Sequence, residues 1–183
     1  MAAVLAFGIA LFTARVYGVS MSPTLKDGDA LMVDKVGVRY AAPQRGDLVV
    51  ATEPGGGALV KRVIGVPGDT VEIDGAGPHP VVLIQPGGSG PWQRLEEPYA
   101  GNSWNRKDFC CDQRGLDVGL TTPRPLRVAP GRFFLLGDNR DASTDSRRFG
   151  LFSRDQIAGR VLFRWWPLRQ AGAVSDRPTL VPA

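Results

Sequence analysis

Three stretches of this chain carry side chains able to do chemistry. They are the string GVSMSPTL at residues 18–25, Lys61 inside the apolar run of residues 58–66, and the string GDNRDASTDSR at residues 137–147. A serine such as Ser20 becomes a nucleophile only when a base stands beside it. The commonest base is imidazole, yet the chain has a single histidine, His79, set in the Gly/Pro-rich residues 75–80. A Ser-His-Asp triad, a Cys-His pair and a zinc site built from several His and Cys ligands therefore fit this inventory poorly. No metal and no organic cofactor are expected. Lysine is the remaining amine, and there are four: Lys26, Lys35, Lys61 and Lys107, against 18 arginines.

Lys61 lies within a strand-like apolar run. Strand alternation puts Leu59, Lys61 and Val63 on one face and Val60, Arg62 and Ile64 on the other, so one of two cations must turn inward. If that one is Lys61, desolvation disfavours its charge. A fall of about three units from ~10.4 would cost ~4 kcal/mol and leave a useful fraction of neutral amine near neutral pH. Arg62 cannot serve as a base, because guanidinium stays protonated. The strand alone is equally compatible with a lysine that snorkels or pairs with an acid. Residues 18–25, by themselves, read as a loop in which Gly18 allows close approach of the backbone and Pro23 holds Ser22 extended. Residues 137–147 read as a turn in which Asp145 and Arg147 can pair locally.

The elements that must position these groups are mostly strands. With 183 residues, 23 Gly, 15 Pro and 43% hydrophobic residues, the chain suits short strands joined by many turns in one compact domain with a modest insert. Strands are expected near residues 30–36, 47–52 and 58–66, the last two joined as a hairpin through Pro54-Gly55-Gly56-Gly57. A second hairpin is expected from residues 70–74 and 81–84, and further strands at 132–136 and 158–166. The predicted organisation is a catalytic core at 18–74 and 131–168, a loop-rich insert at 75–130, and a loose tail at 169–183.

Residues 1–14 are apolar and uncharged, followed by Arg15. They predict a membrane anchor helix over residues 1–17. Fourteen helical residues reach about 21 Å against a ~30 Å hydrocarbon layer, so a full span needs snorkelling of Arg15, interfacial Tyr17 and extension to Val19, or a start upstream of Met1. A cleavable signal peptide lacks its positive n-region here, and a core helix suits a strand-rich chain poorly. The net charge of +4 is dispersed, with no basic run longer than Arg147-Arg148, so nucleic acid is not an expected partner. Cys110 and Cys111 are adjacent, which matches no CxxC spacing and leaves the redox compartment undecided.

The ordered strings GVSMSPTL, RGDLVV, KRVIGVPGD and GDNRDASTDSR, continued by FGLFSRDQIAGRVLFRWWP, resemble the boxes of the type I signal peptidases over residues 16–167, the insert apart. These are membrane-bound serine proteases with a Ser/Lys dyad. The resemblance implies that Ser20 is the nucleophile and Lys61 the general base. It implies that Ser143 orients the lysine, that the Asp145–Arg147 pair supports the loop, and that Gly137 leaves room near the lysine. The Ser20 backbone N–H is the implied oxyanion donor. Gly18 stands where many members have a serine hydroxyl for that purpose, a donor worth ~3 kcal/mol. The implied fold is an antiparallel, barrel-like β core with an N-terminal membrane helix. The implied setting is the extracytoplasmic face of the plasma membrane, single-pass, with proximity to the secretion translocase. The implied substrates are secretory preproteins cut after Ala-X-Ala-like residues. Rival readings are a specialised Ser/Lys peptidase maturing pilin-like, conjugation or organelle inner-membrane proteins, and an inactive membrane-tethered β module that binds peptides by strand addition.

Overall fold

The computed structural model of the chain describes residues 11–100, 104, 124–174 and 176–183. Residues 1–10, the bulk of the expected anchor, and both cysteines, Cys110 and Cys111, lie outside the described residues.

Two antiparallel sheets carry the fold. The larger is assembled from β1 (Leu11–Arg15), β2 (Ala30–Asp34), β3 (Leu48–Thr52), β4 (Ala58–Gly65), β9 (Arg132–Leu136), β10 (Phe152–Ser153) and β11 (Ile157–Trp166). Its order is β1-β2-β11-β3-β4-β9-β10, which puts β4 inside the sheet between β3 and β9. The smaller sheet orders β12 (Thr179–Pro182), β7 (Gln93–Glu96), β6 (Val81–Gln85), β5 (Thr70–Asp74) and β8 (Leu126–Arg127) in that sequence. The helices among the described residues are short: α1 (Gly37–Tyr40) and α2 (Ser146–Phe149), with a few 3-10 turns. The mostly β, antiparallel expectation therefore holds, and so do both hairpins.

The β3–β4 hairpin forms because two β-branched runs flank a loop that glycine can close. Gly56, at φ +88°, donates its N–H to the Glu53 carbonyl, and Glu53 N–H returns to the Gly57 carbonyl. Three apolar clusters fill the interior. One lies on the smaller sheet around Val71, Ile84, Leu126 and Phe134; a second joins Val49, Val63, Phe133 and Leu135; a third gathers Val16, Met21, Leu25, Leu31 and Val33. Met21 and Leu25 are core residues, each tying the Ser20 stretch to β2 at roughly 1.5–3 kcal/mol of burial.

The structure corrects two expectations. Leu11–Arg15 is a strand and not the end of a helix, paired with β2 from Leu11↔Asp34 to Arg15↔Ala30. Phe12 and Ala14 pack on the third cluster while Thr13 and Arg15 are exposed, a two-residue period that a strand satisfies and a helix cannot. Among the described residues no helix is long and apolar enough to cross a membrane. The tail is not loose either. It folds back, and β12 completes the smaller sheet by pairing with β7.

Candidate active site

Ser20 sits in a tight turn that follows β1, closed by the Leu25 N–H on the Met21 carbonyl at 2.8 Å and the Ser22 N–H on the Val19 carbonyl at 3.0 Å. Gly18 enters that turn at φ +83° with open space around it. The glycine serves the left-handed conformation and not close approach, and a serine at this position would be strained. Its N–H is capped by Asp27 Oδ1 at 2.7 Å.

Lys61 projects from β4 toward this turn. Its Nζ donates to Ser20 Oγ at 2.9 Å and to the Val60 carbonyl at 3.0 Å. Lys61 is buried at 2% exposure, and so is Arg62 at 0%. The expectation that only one of these cations faces inward is thus corrected, because β4 lies between strands and both of its faces are covered. Leu59 and Val63 join the second cluster on one side, Val60 the third and Ile64 the first on the other. Burial lowers the Lys61 pKa from its ordinary 10.5; Asp145 and Asp138 pull it back up without cancelling the fall. Arg62 meets its burial differently. It grips Asp138 through Nε at 2.8 Å and Nη2 at 2.7 Å, gives Nη1 to the Gly46 carbonyl at 3.0 Å, and stacks 3.7 Å over the Tyr99 ring.

The loop of residues 137–147 closes over the Ser20 backbone. Asn139 N–H donates to the Ser20 carbonyl at 3.1 Å, and Thr24 Oγ1 donates to Asp138 Oδ2 at 2.5 Å. Gly137 is the point of closest approach. A Cβ there would stand 2.2 Å from Ser143 Oγ and 2.5 Å from the Ser20 carbonyl oxygen, so the room it leaves is for these two groups. Gly137→Ala is therefore expected to cost about 1–3 kcal/mol from overpacking and to shift the Ser20 turn. A thermal melt and a cleavage assay on the variant check this; a wild-type rate would show that the contact is slack.

Asp145 and Arg147 do form the expected local pair, entirely buried. Arg147 Nε and Nη2 reach the two carboxylate oxygens at 2.9 Å each. Asp145 also accepts from the Gly137 N–H at 3.0 Å and caps α2 through the Arg147 N–H. Burial pushes its carboxyl up, but the Arg147 guanidinium prevails and holds it below the ordinary carboxylate range. Ser143 is placed beside Gly137, yet the hydrogen bond to Lys61 that the resemblance implies is not formed. Ser143 Oγ lies near enough to Asp145 to favour its ionised form but, among the described residues, has no partner in hydrogen-bonding geometry.

A further brace escapes sequence reading. Arg140 forks onto Glu97, with Nη1 to Oε2 at 2.7 Å and Nη2 on Oε1, and its Nε holds the Gly137 carbonyl at 3.0 Å. Tyr99 donates its hydroxyl to Glu97 at 2.8 Å. Asp138 and Arg140 belong to a motif string, and Arg62 follows Lys61 in another, but their partners lie 76 and 43 residues away along the chain. Local spacing carries no such signal. His79 contacts the Trp104 carbonyl through Nδ1 and takes no part in the Ser20–Lys61 contact.

A serine hydroxyl held by a buried amine, on an antiparallel β scaffold and without imidazole, defines a class of hydrolase in which lysine does the work that histidine does elsewhere. Comparison with known proteins narrows the class. The family model described as signal peptidase, peptidase S26, matches residues 1–166. Signal peptidase IB of Staphylococcus aureus (strain COL) is 36% identical over 156 residues, covering 84% of this chain and 76% of that protein. Signal peptidase I of Leptolyngbya laminosa is 36% identical over 188 residues, covering 96% of this chain and 80% of that protein. The crystal structure of a signal peptidase I from Enterococcus faecalis V583 aligns with TM-score 0.47 and 30% identity, over 66% of this chain and 97% of that one. The chain belongs to the signal peptidase family, peptidase S26. It is a serine endopeptidase with type I signal peptidase function, acting on secreted preproteins that carry signal peptides.

Proposed function

We propose that Ser20 is the nucleophile and Lys61 the general base of this reaction. The observation that carries the reading is the 2.9 Å contact between Ser20 Oγ and an amine whose burial favours its neutral form. Neutral Lys61 takes the hydroxyl proton as Ser20 Oγ attacks the scissile carbonyl. The ammonium then gives that proton to the leaving amine as the peptide bond breaks, and the acyl-enzyme remains. Lys61, neutral again, activates the water that releases the signal peptide from Ser20. None of the hydrogen bonds among the described residues uses the Ser20 N–H, which supports its role as oxyanion donor. Ser143 is a buried hydroxyl beside Gly137, and its oxygen, unsatisfied among the described residues, suits a partner for the ammonium form. The Asp145–Arg147 pair and Gly137 support the loop.

The substrates are preproteins with small residues, as in Ala-X-Ala, before the cut. The setting is the extracytoplasmic face of the plasma membrane, single-pass, close to the translocase. The apolar character of residues 1–10 supports contact with the membrane, as does the exposed apolar fringe of Tyr17, Val19, Trp165, Trp166 and Leu168.

The test is the pH dependence of preprotein cleavage. A lysine base with a lowered pKa gives activity above that pKa and loses it below, so the ascending limb of kcat/KM is expected below the ordinary lysine value of 10.5. Labelling of Ser20 by a serine-directed acylating probe should rise along the same limb. A limb at the ordinary lysine value, or a rate flat with pH, counts against Lys61.

A further inference from the structure

Beyond β11 the chain stays fastened to the molecule. Gly172 exchanges two hydrogen bonds with Arg164, at 2.9 and 2.8 Å, and Val174 packs on the third cluster. The Asp176 carbonyl accepts from Arg62 Nη1 at 2.7 Å, and Arg177 pairs with Asp47 at 2.6 Å. Pro178 lies so close to Gly46 that a Cβ there would meet Pro178 Cδ at 2.8 Å. The run ends as β12 on β7, with Leu180 packed on the core of the smaller sheet. It therefore crosses from one sheet to the other and is held by both.

Two of these attachments are one step from the reacting groups. Arg62 is the residue after Lys61, and burying a guanidinium requires acceptors for its five donor hydrogens. Asp138 and the Gly46 carbonyl supply some, and the Asp176 carbonyl supplies another that only the tail provides. The second attachment, β12 on β7, steadies a strand that runs directly into Glu97 and Tyr99. Glu97 holds Arg140, which fixes the Gly137 carbonyl, and Tyr99 covers Arg62. The tail thus bears on β4 through Arg62 and on the loop of residues 137–147 through Glu97.

We propose that residues 173–174 and 176–182 are a positioning strap for the reaction: by holding Arg62 and β7 together they set where Lys61 and the 137–147 loop stand relative to Ser20. The proposal rests on the Ser20/Lys61 reading. Loss of the strap leaves a guanidinium donor without its carbonyl and opens the site around β4 to water. A hydrated amine titrates closer to an ordinary lysine.

The experiment compares the full chain, a chain ending at Gly172, and the full-length variant Leu180→Asp, which unseats β12 without shortening the protein. Each is assayed for preprotein cleavage across pH, with circular dichroism for folding and amide exchange to report release of β12. The expected result is a fall in kcat of about tenfold or more from misplacement of the reacting groups, with KM changed far less. The ascending limb moves to higher pH, and adding the peptide of residues 173–183 to the shortened chain restores part of kcat. An unchanged kcat and unchanged limb in a folded variant whose β12 is released overturns the proposal. Leu180→Asp provides this test even if the shortened chain does not fold. Lys61→Ala, run beside them, separates the two readings: if it retains activity the dyad fails, whereas if it is inactive and the strap variants are normal only the strap fails.

Discussion

Lys61→Ala is expected to reduce preprotein cleavage by a factor of about ten thousand or more, with the chain still folded. Nothing else among the described residues can take its place as a base for Ser20. The hydroxyl's hydrogen-bonding partner is Lys61 Nζ, the neighbouring cation Arg62 stays protonated, and His79 is engaged at Trp104. Ser20→Ala should be equally severe. Because the two groups act in one step, the double variant should be no slower than either single one, a non-additivity that independent contributions would not produce. Stability supplies a second readout. Burial shifts the amine toward its neutral form relative to the unfolded chain, so over the range between the lowered and the ordinary value the unfolded state binds more protons and stability rises with pH toward 10.5. Lys61→Met should accordingly gain stability over the wild type near neutral pH and lose that advantage as the solution is made alkaline. A constant difference across this range would mean that the amine is charged where it lies.

The largest expected effect on the fold is that of Asp145→Asn. The change keeps the shape of the side chain but leaves the Arg147 guanidinium buried without its counter-ion, an arrangement that costs about 3–5 kcal/mol. Among the described residues Arg147 Nη1 has no partner, and the Ser143 carbonyl, which accepts from Nη2 at 3.3 Å, carries no charge to replace the lost counter-ion. The acid response should change as well. A carboxyl with a lowered folded-state pKa stabilises the fold above its unfolded pKa, and that stability is lost as pH falls through the folded value. Acid unfolding of the wild type should therefore steepen below the ordinary carboxylate range, and the variant should lack this component. Urea titrations at several pH values measure both. An Asp145→Asn chain as stable as the wild type at neutral pH would show that the pair contributes little.

Much of this arrangement is legible in the sequence where the informative contacts are local. The hairpins are visible from β-branched runs punctuated by Gly and Pro, and the Asp145–Arg147 pair from a two-residue spacing. The segment around Leu11 departs from expectation because its total hydropathy points to a helix while its period does not: Phe12 and Ala14 inside, Thr13 and Arg15 outside is strand alternation, even within an apolar stretch. The tail misleads for another reason. Its fastening depends on the Asp176 main-chain carbonyl and on pairing with β7, and main-chain acceptors leave no mark on composition. Arg62–Asp138 and Arg140–Glu97 are hidden by distance along the chain.

The burial of both faces of β4 makes the order of its two cations a message rather than a composition. Lys61 stands opposite Val49 on β3, while Arg62 is aligned with Leu48 on β3 and Leu136 on β9, so neighbours on both sides fix the reading frame of the strand. A slip of one residue, or a swap of Lys-Arg to Arg-Lys, would preserve charge, volume and hydropathy almost unchanged. It would also deliver a permanently protonated guanidinium to Ser20 and strand a lone ammonium between Asp138 and Tyr99, with one point charge where a fork is needed. The dipeptide is thus chiral in function: read one way it encodes a base and a bolt, and read the other way it encodes neither.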